Sequence, residues 1–597
     1  MKLADYVVDF FVKQGISHNF LVSGGAVIHL VDSTAKHDQI MPVCVQHEEH
    51  GAAAADMYAR VTGNLGLTMT TSGPGATNIV TSVCNAYTDS IPMVCITGQV
   101  STFRIKKSEK LRQRGFQETD VVSIFSSITK YAKLIRDPLT IRYELEKAVY
   151  IAKEGRPGPV LLDIPDDLQR VDIDPDNLVS YMPSSELPVV SNDIVRQLFQ
   201  MIADSKRPVF VIGAGVHCAK VEEAVTVFLR HFKVPVLLTW GAFDLLAFDD
   251  ELNMGGVGVC GPRAGNFAVQ NADLVVAMGT RLSPMITGGK QNLFAPGAKK
   301  IMIDVDEEEL KKFDKDTFVL DLQIHSDLGK FFKVCESFYI ENIEDRFSSW
   351  RKLIHEWMRE YPVCNLDDYH RKDRVNPYVF IKEMSGLAKE GDIIIADTGA
   401  NVSWTLQAFE TKKRQRIFSA WNHTPMGYSL PASVGAAFAT KEDVICIIGD
   451  GGLMMCLQEL ATARRHNLPI KIFIFDNKGH GIQKQTIDTW LNSHYVAVDE
   501  ASGLYFPDYH KLAESFHIPY FCIRNHSDLL SNFNAIWNTP GLFICNVEMI
   551  ENQKIVPMLK FGAGLEDLDP KLPKEELAKI MSQCMHLAQC EVDLYTS

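Results

Sequence analysis

Short, almost wholly apolar runs alternate with longer amphipathic segments along most of this chain. Examples are Met41–Val45, Leu67–Thr71, Met93–Thr97, Val160–Ile164, Val209–Ile212, Val236–Thr239, Leu274–Met278, Lys300–Ile303, Ile393–Ala396, Val444–Ile448, Ile470–Phe475 and Leu542–Val547. Gly, Pro, Asp or Ser bounds most of them. A strand covered on both faces reads as a continuous apolar run, and parallel neighbours need helical crossovers between them. The pattern therefore predicts an α/β chain of doubly wound parallel sheets. There are too many strands for one core of ordinary size. Asp172–Ser191 is polar and Pro-containing and reads as a linker, and a second linker is expected within the charged stretch Glu341–Asn376. These cuts predict domains at 1–175, 190–345 and 370–560, with a tail at 561–597. The tail follows a Pro/Gly/Asp stretch and carries an amphipathic helix from about Lys574 to Cys590.

Composition narrows the function. The 597 residues are 46% hydrophobic and 22% charged, in the range of folded globular chains. Lys plus Arg is 60 against 74 Asp plus Glu, a net charge of −14 that argues against duplex DNA or an anionic membrane as main partner. The basic run Arg104–Arg114 reads as a solvated loop or helix face. Met1–Gly15 carries acids among its apolar residues, so it reads as an amphipathic helix rather than a leader, and no apolar run is long enough to span a membrane. The 13 cysteines are scattered, and several, such as Cys44, Cys95, Cys446 and Cys545, fall in strand-like runs. They read as reduced core residues of a cytoplasmic protein.

One element carries chemistry by position. Strand Val444–Ile448 runs into Gly449-Asp450-Gly451-Gly452 and then an amphipathic helix, and the next strand, Ile470–Phe475, ends in Asp476-Asn477. In a parallel sheet, ligands bind beyond the carboxyl ends of the strands. Asp450 and Asn477 each sit at such an end; a carboxylate, an amide oxygen and a nearby backbone carbonyl suit Mg²⁺. The glycines let backbone approach a phosphate, and the helix N-terminus offers unpaired N–H groups.

This spacing resembles the thiamine-diphosphate motif, which opens Gly-Asp-Gly and closes Asn-Asn; here Asp476 replaces the first Asn. The first third supports the same likeness. Gln46-His47-Glu48-Glu49-His50-Gly51, Thr71-Ser72-Gly73-Pro74-Gly75-Ala76-Thr77-Asn78, Ala86–Pro92, Gly115-Phe116-Gln117-Glu118-Thr119-Asp120 and Arg156–Val160 closely resemble the acetolactate synthase branch of thiamine-diphosphate enzymes, and the resemblance runs through Met426–Ala432. It implies thiamine diphosphate with Mg²⁺ held by Asp450, Asn477 and the carbonyl of Gly479. It implies cofactor contacts from Gly399, Asn401, Thr424, Met426, Gly449, Gly451, Gly452, His480 and Gly481. Asn401 reads equally as a helix-cap residue. Thr424 stands where the family has Gly, and Met426 matches the apolar residue that props the cofactor in its bent form. Glu48 matches the carboxyl that bonds the aminopyrimidine ring and promotes loss of the thiazolium proton. The implied assembly is a homodimer or homotetramer, with the active site shared between the first domain of one subunit and the third domain of another.

The pocket implied by the resemblance is lined by Val22, Gly24, Gly25, Phe116, Gln117, Ile482, Gln483 and Thr486, with Gln117 facing the reacting carbons and His480 a candidate proton donor or acceptor. His47, His50 and His423 read as positioning or core histidines. Departures from acetolactate synthase concentrate on the acceptor side. Ala277–Met285 stands where that enzyme has Gly-x-Arg-Phe-Asp-Asp-Arg, so the second Arg, which would hold an acceptor carboxylate, is missing. Asp166 replaces a Lys, and Thr486 replaces a pocket-narrowing Trp. A pocket without that Arg should favour an aldehyde, ketone or keto sugar over a second 2-keto acid. The central domain resembles the flavin-holding one, yet Gly213-Ala214-Gly215 lacks the third Gly of a dinucleotide fingerprint; FAD and no cofactor both remain open there. The expectation is a carboligase or decarboxylase acting on a 2-keto acid, pyruvate by resemblance. Acetolactate synthase proper, a pyruvate-oxidising flavoenzyme and a non-catalytic partner subunit are the alternatives.

Overall fold

The computed structural model describes every residue except 109, 184–185, 315, 341–343, 372 and 583–597. Three six-stranded parallel sheets organise the chain. The first holds β1 (His18–Leu21), β2 (Met41–Cys44), β3 (Gly66–Thr70), β4 (Met93–Gln99), β5 (Tyr131–Leu134) and β6 (Val160–Pro165), in the order β2-β1-β3-β4-β6-β5. The second holds β7 (Pro208–Ile212), β8 (Val236–Leu238), β9 (Asn253–Gly256), β10 (Leu274–Met278), β11 (Lys299–Asp304) and β12 (Leu322–His325), in the order β12-β11-β10-β7-β8-β9. The third holds β13 (Ile393–Ala396), β14 (Arg416–Phe418), β15 (Val444–Gly449), β16 (Ile470–Asp476), β17 (Tyr520–Ile523) and β18 (Phe543–Glu548), in the order β14-β13-β15-β16-β18-β17.

All the apolar runs read as strands are strands. The six unread ones are short, and five of them (β5, β9, β12, β14 and β17) are sheet edges. An edge strand buries less side chain and so loses the continuous apolar signature; β12, for example, has one buried residue in four. β1 lies inside its sheet, but its sequence begins His18-Asn19, and Asn19 is buried with its amide bonded to Thr34 Oγ1 at 3.3 Å. A buried polar residue that finds a partner leaves no hydrophobic trace in the sequence. Cys95, Cys446 and Cys545 are core residues as expected, whereas Cys44 is exposed because it ends the edge strand β2. Among the described residues, no helix is long and apolar enough to cross a membrane.

The chain divides into two compact units. One, Met1–Ser185 with Asp392–Asn401 and Phe418–Glu551, contains the first sheet and most of the third. Within it the helices Glu48–Thr62 and Ser429–Ala439 cross in close contact. A Cβ on Gly435 would lie 2.0 Å from the carbonyl oxygen of Ala54, so glycine is needed at that crossing. A buried ionic network fixes the same pair. Arg60 Nε donates to Asp56 Oδ1 at 2.8 Å, and its Nη2 donates to Asp89 Oδ2 at 2.8 Å. Tyr428 and Asn85 both donate to Asp56 Oδ2 at 2.8 Å. Glu48 heads the first of these helices, and Met426 lies just before the second.

The other unit, Glu186–Gly391 with Val402–Ile417 and Asn552–Ser597, contains the second sheet. Within the charged stretch expected to hold a linker, Ser348–Glu360 is a helix whose Trp350, Ile354 and Trp357 enter the core of this unit. The tail joins the same core through Leu559, Leu565, Leu568 and Ile580. Arg263 donates to the tail carbonyls of Leu568 and Pro570. The expected tail helix is present over 574–582, and its remainder falls outside the described residues.

Candidate active site

Two clusters form at carboxyl ends of strands in the first unit. The larger gathers the loops that follow β13, β15 and β16. Asp450 opens the helix Asp450–Cys456 and is 1% exposed. Its Oδ1 accepts the Gly451 N–H at 2.6 Å and its Oδ2 accepts the Gly479 N–H at 3.0 Å. The chain reaches Gly479 through Lys478 at φ 58, with Gly479 itself at φ 158, where a Cβ would stand 2.4 Å from the Val498 carbonyl oxygen. The other loops close in just as tightly. A Cβ on Gly451 would meet the His480 ring at 2.5 Å and the Met426 methyl at 3.3 Å; one on Gly481 would meet Asn477 Nδ2 at 2.7 Å; one on Gly449 would meet Asn401 Nδ2 at 3.1 Å; and one on Gly399 would meet Ile482 Cγ2 at 3.4 Å. Gly399, Asn401, Met426, Gly449–Gly452, Asn477 and Gly479–Ile482 thus share one place. Thr424 has φ 52, the left-handed conformation that glycine usually supplies, so the turn keeps its shape despite the Thr. Gln483 and Thr486 lie on the exposed side of the helix Gly481–Trp490.

A residue not read as a site candidate holds these loops together. Asp397, at the end of β13, is buried and accepts the N–H groups of Gly427 at 3.1 Å and Ser429 at 3.2 Å. Burial pushes its carboxyl up to about 6, against the pull of those N–H groups. A Cβ on Gly452 would sit 2.1 Å from Asp397 Oδ2. The Asp-Thr-Gly after an apolar strand was the available signal. Gly452→Ala is therefore expected to destabilise the protein by about 1–3 kcal/mol through overpacking and to weaken cofactor binding. Urea unfolding with and without cofactor checks both.

The second cluster lies around Glu48, at the head of the helix that follows β2. Its Oε2 accepts from Asn78 Nδ2 at 2.9 Å, and its Oε1 is 3.5 Å from where a Cβ on Gly75 would stand. A Cβ on Gly24 would strike Thr71 Cβ at 2.4 Å, which draws the loop after β1 onto the loop after β3; Val22 is half-buried and Gly25 exposed on that loop. Gln117 takes φ 61, and its backbone oxygen is 2.9 Å from the Cβ position of Gly73. Phe116 is 86% exposed. Glu459 takes part in both domains of this unit: its Oε1 accepts the Gln46 N–H at 3.0 Å and faces His50 Nδ1 at 2.9 Å, making His50 a positioning histidine. His47 caps the Glu48 helix by accepting the Glu49 N–H at 3.2 Å.

Comparison with known proteins accounts for both clusters. The N-terminal TPP binding domain of thiamine pyrophosphate enzymes matches residues 1–124, their central domain 195–333 and their C-terminal TPP binding domain 397–547. "Acetolactate synthase 2, chloroplastic" of Nicotiana tabacum is 31% identical over 95% of this chain and 85% of its own length. The chain belongs to the thiamine pyrophosphate enzymes. "Acetolactate synthase large subunit" of Cyanidium caldarium is 32% identical over 93% of this chain and 94% of its own length. "Acetolactate synthase isozyme 1 large subunit" of Escherichia coli (strain K12) is 30% identical over 94% and 96%.

As a thiamine pyrophosphate enzyme, the chain offers a donor set that fits a magnesium-bound diphosphate. Asp450 is pushed up to about 7 by burial and by the neighbouring Asp476, and a divalent cation there would relieve both effects. Asp476, the residue that departs from the family motif, is buried. Its Oδ2 accepts from Lys478 Nζ at 2.8 Å and Asn546 Nδ2 at 3.2 Å, while its Oδ1 has no hydrogen-bond partner. Among the described residues, no group of three or more His, Cys, Asp or Glu could hold a metal ion by itself. Asp450 and Asn477 bring a carboxylate and an amide to these loops, oxygen-bearing groups of the kind that suit Mg²⁺ beside phosphate oxygens and water.

The Gly213-Ala214-Gly215 turn in the other unit does not fit a pyrophosphate. It lies where the strand order reverses between β7 and β10, but Gly215 N–H donates to the Gly279 carbonyl at 2.9 Å. A Cβ on Gly213 would stand 2.4 Å from both Gly279 O and Thr280 Cβ. These glycines permit loop-on-loop packing, and their backbone is not presented to a ligand.

Proposed function

We propose that this enzyme decarboxylates a 2-keto acid, with pyruvate as donor, and joins the activated two-carbon unit to an aldehyde, ketone or keto sugar. The observation that carries the reading is the glycine-lined cradle around buried Asp450. When bound, thiamine diphosphate supplies the nucleophilic carbon for the keto group and the electron sink for the departing carbon dioxide. Asp450, Asn477 and the Gly479 carbonyl hold Mg²⁺ against the diphosphate, while Gly399, Asn401 and the backbone of Gly449–Gly452 surround it. The carbonyl of Thr424 would receive the cofactor's amino group, and Met426 would pack against the cofactor. Glu48 would face the aminopyrimidine ring nitrogen and favour a proton there, with Asn78 orienting its carboxylate. Gln117 orients the reacting carbons. His480, whose pKa burial lowers, stays neutral near pH 7 and exchanges a proton with the substrate oxygen.

In this reading two copies pair, so that Glu48 of one completes the Asp450 cradle of the other. Acetolactate synthase proper is the second reading, supported by the names of the relatives. The missing acceptor-side Arg favours the first: a site without a partner for a second carboxylate discriminates against a second 2-keto acid. Product analysis with pyruvate alone, and with pyruvate plus a panel of aldehydes and keto sugars, tests it. Mixed carboligation products are expected, with little acetolactate from pyruvate alone; acetolactate as the dominant product in every mixture would overturn the acceptor assignment. The spectrum of the purified protein decides whether the central domain holds FAD.

A further inference from the structure

The segment directly before the pocket residues Phe116 and Gln117 holds more positive charge than any other stretch of 11 residues in the chain. Arg104, Lys106, Lys107, Lys110, Arg112 and Arg114 fall within 11 residues that contain a single acid, Glu109, in a chain of net charge −14. The structure fixes both ends of this segment. Buried Glu118 gathers its two ends: Oε1 accepts the Lys106 N–H at 2.7 Å, and Oε2 accepts the N–H groups of Arg114 at 2.8 Å and Gly115 at 2.9 Å. Gln113 Nε2 adds a bond to the Glu118 carbonyl at 3.1 Å. The loop is thus pinched closed at its base. Lys107, Lys110, Arg112 and Arg114 are exposed, as is Phe116, which follows the loop in sequence.

Five cations, Lys106, Lys107, Lys110, Arg112 and Arg114, on a loop pinned at its base are costly as a mere solvated face, since like charges held together repel one another. They suit a dense anion. A phosphate or diphosphate ester is such a group: its oxygens accept charge-assisted hydrogen bonds from Lys and Arg. A plain carboxylate substrate would need one cation, and a neutral sugar none. We propose that this loop binds the phosphate of the carbonyl acceptor, which makes the acceptor a phosphorylated sugar or a nucleoside-diphosphate-linked sugar. This rests on the carboligase reading, because it specifies the acceptor for that reaction. Glu118 is the positioning residue of the loop; the lysines and arginines touch the ligand.

The test is binding to the full-length enzyme saturated with thiamine diphosphate and Mg²⁺, so that the cofactor cradle is filled. Inorganic phosphate and uridine diphosphate are titrated by calorimetry. The expected result is saturable binding that weakens with added salt, and that falls about tenfold in the triple variant K107Q/K110Q/R112Q. Uridine diphosphate binding much more tightly than phosphate identifies a nucleoside-linked acceptor; equal binding identifies a simple phosphate ester. Either pattern supports the proposal. No binding to the wild type, or equal binding to wild type and variant, overturns it. The single variant K107Q, expected to lose about twofold to threefold, serves if the triple variant does not fold. Because no turnover is needed, an absence of carboligation products would refute the function reading without disturbing this result.

Discussion

Glu48→Gln is expected to lower turnover by roughly 10²- to 10⁴-fold, the usual contribution of a positioned proton-transfer group. The change is nearly isosteric and keeps an oxygen for Asn78 Nδ2, which now donates to the carboxylate at 2.9 Å. What it removes is the charge that favours a proton on the cofactor's ring nitrogen. The proton on the cofactor's reactive carbon should therefore stop exchanging with deuterated water, a measurement that needs no substrate. Thermal stability and cofactor affinity should change little, because the Asp450 cradle is untouched. Exchange at the wild-type rate in this variant would remove Glu48 from the activation step.

Asp450→Ala should have the other large effect, on affinity rather than on chemistry. Removing partners that merely orient a metal ligand already costs 10- to 100-fold, so loss of a direct ligand should weaken binding of the cofactor–magnesium pair by roughly a hundredfold or more. The readout is the rise in melting temperature with added thiamine diphosphate and Mg²⁺, which follows the ratio of ligand to dissociation constant. The rise should vanish at concentrations that stabilise the wild type. The two variants together test where the site is completed. At cofactor concentrations that just saturate the wild type, each variant alone should show little activity. If each site draws Glu48 and Asp450 from different copies, a mixed dimer of the two variants has one intact site and one doubly damaged site, and activity returns on mixing. Activity that stays absent in demonstrated mixed dimers would place both residues in the same copy.

Much of the fold was legible in the sequence. The apolar runs marked the buried strands because a strand sandwiched between helices has no polar face to show. Gly449–Gly452 and Asn477 stood out because they lie at the carboxyl ends of apolar strands in a parallel sheet, where ligands bind. The organising residues were harder to see. Asp397 acts through backbone N–H groups of a loop some 30 residues away, and Glu459 meets Gln46 and His50 across more than 400 residues of sequence. Neither partner leaves a local pattern. Glu118 belonged to a quoted motif, but its work, closing a loop by collecting three N–H groups, appears only once the loop is folded.

By itself, the amino-acid order determined the strand–helix alternation and the three-sheet α/β class, because these depend on burial periodicity and on residue types at fixed local spacing. Only the tertiary structure decided which loops meet. It spent the central domain's Gly213 and Gly215 on loop packing, set Thr424 in a glycine-like turn and drew the two ends of a basic segment together. Each outcome depends on side chains and backbone brought together from distant parts of the chain, a juxtaposition that local sequence spacing does not encode.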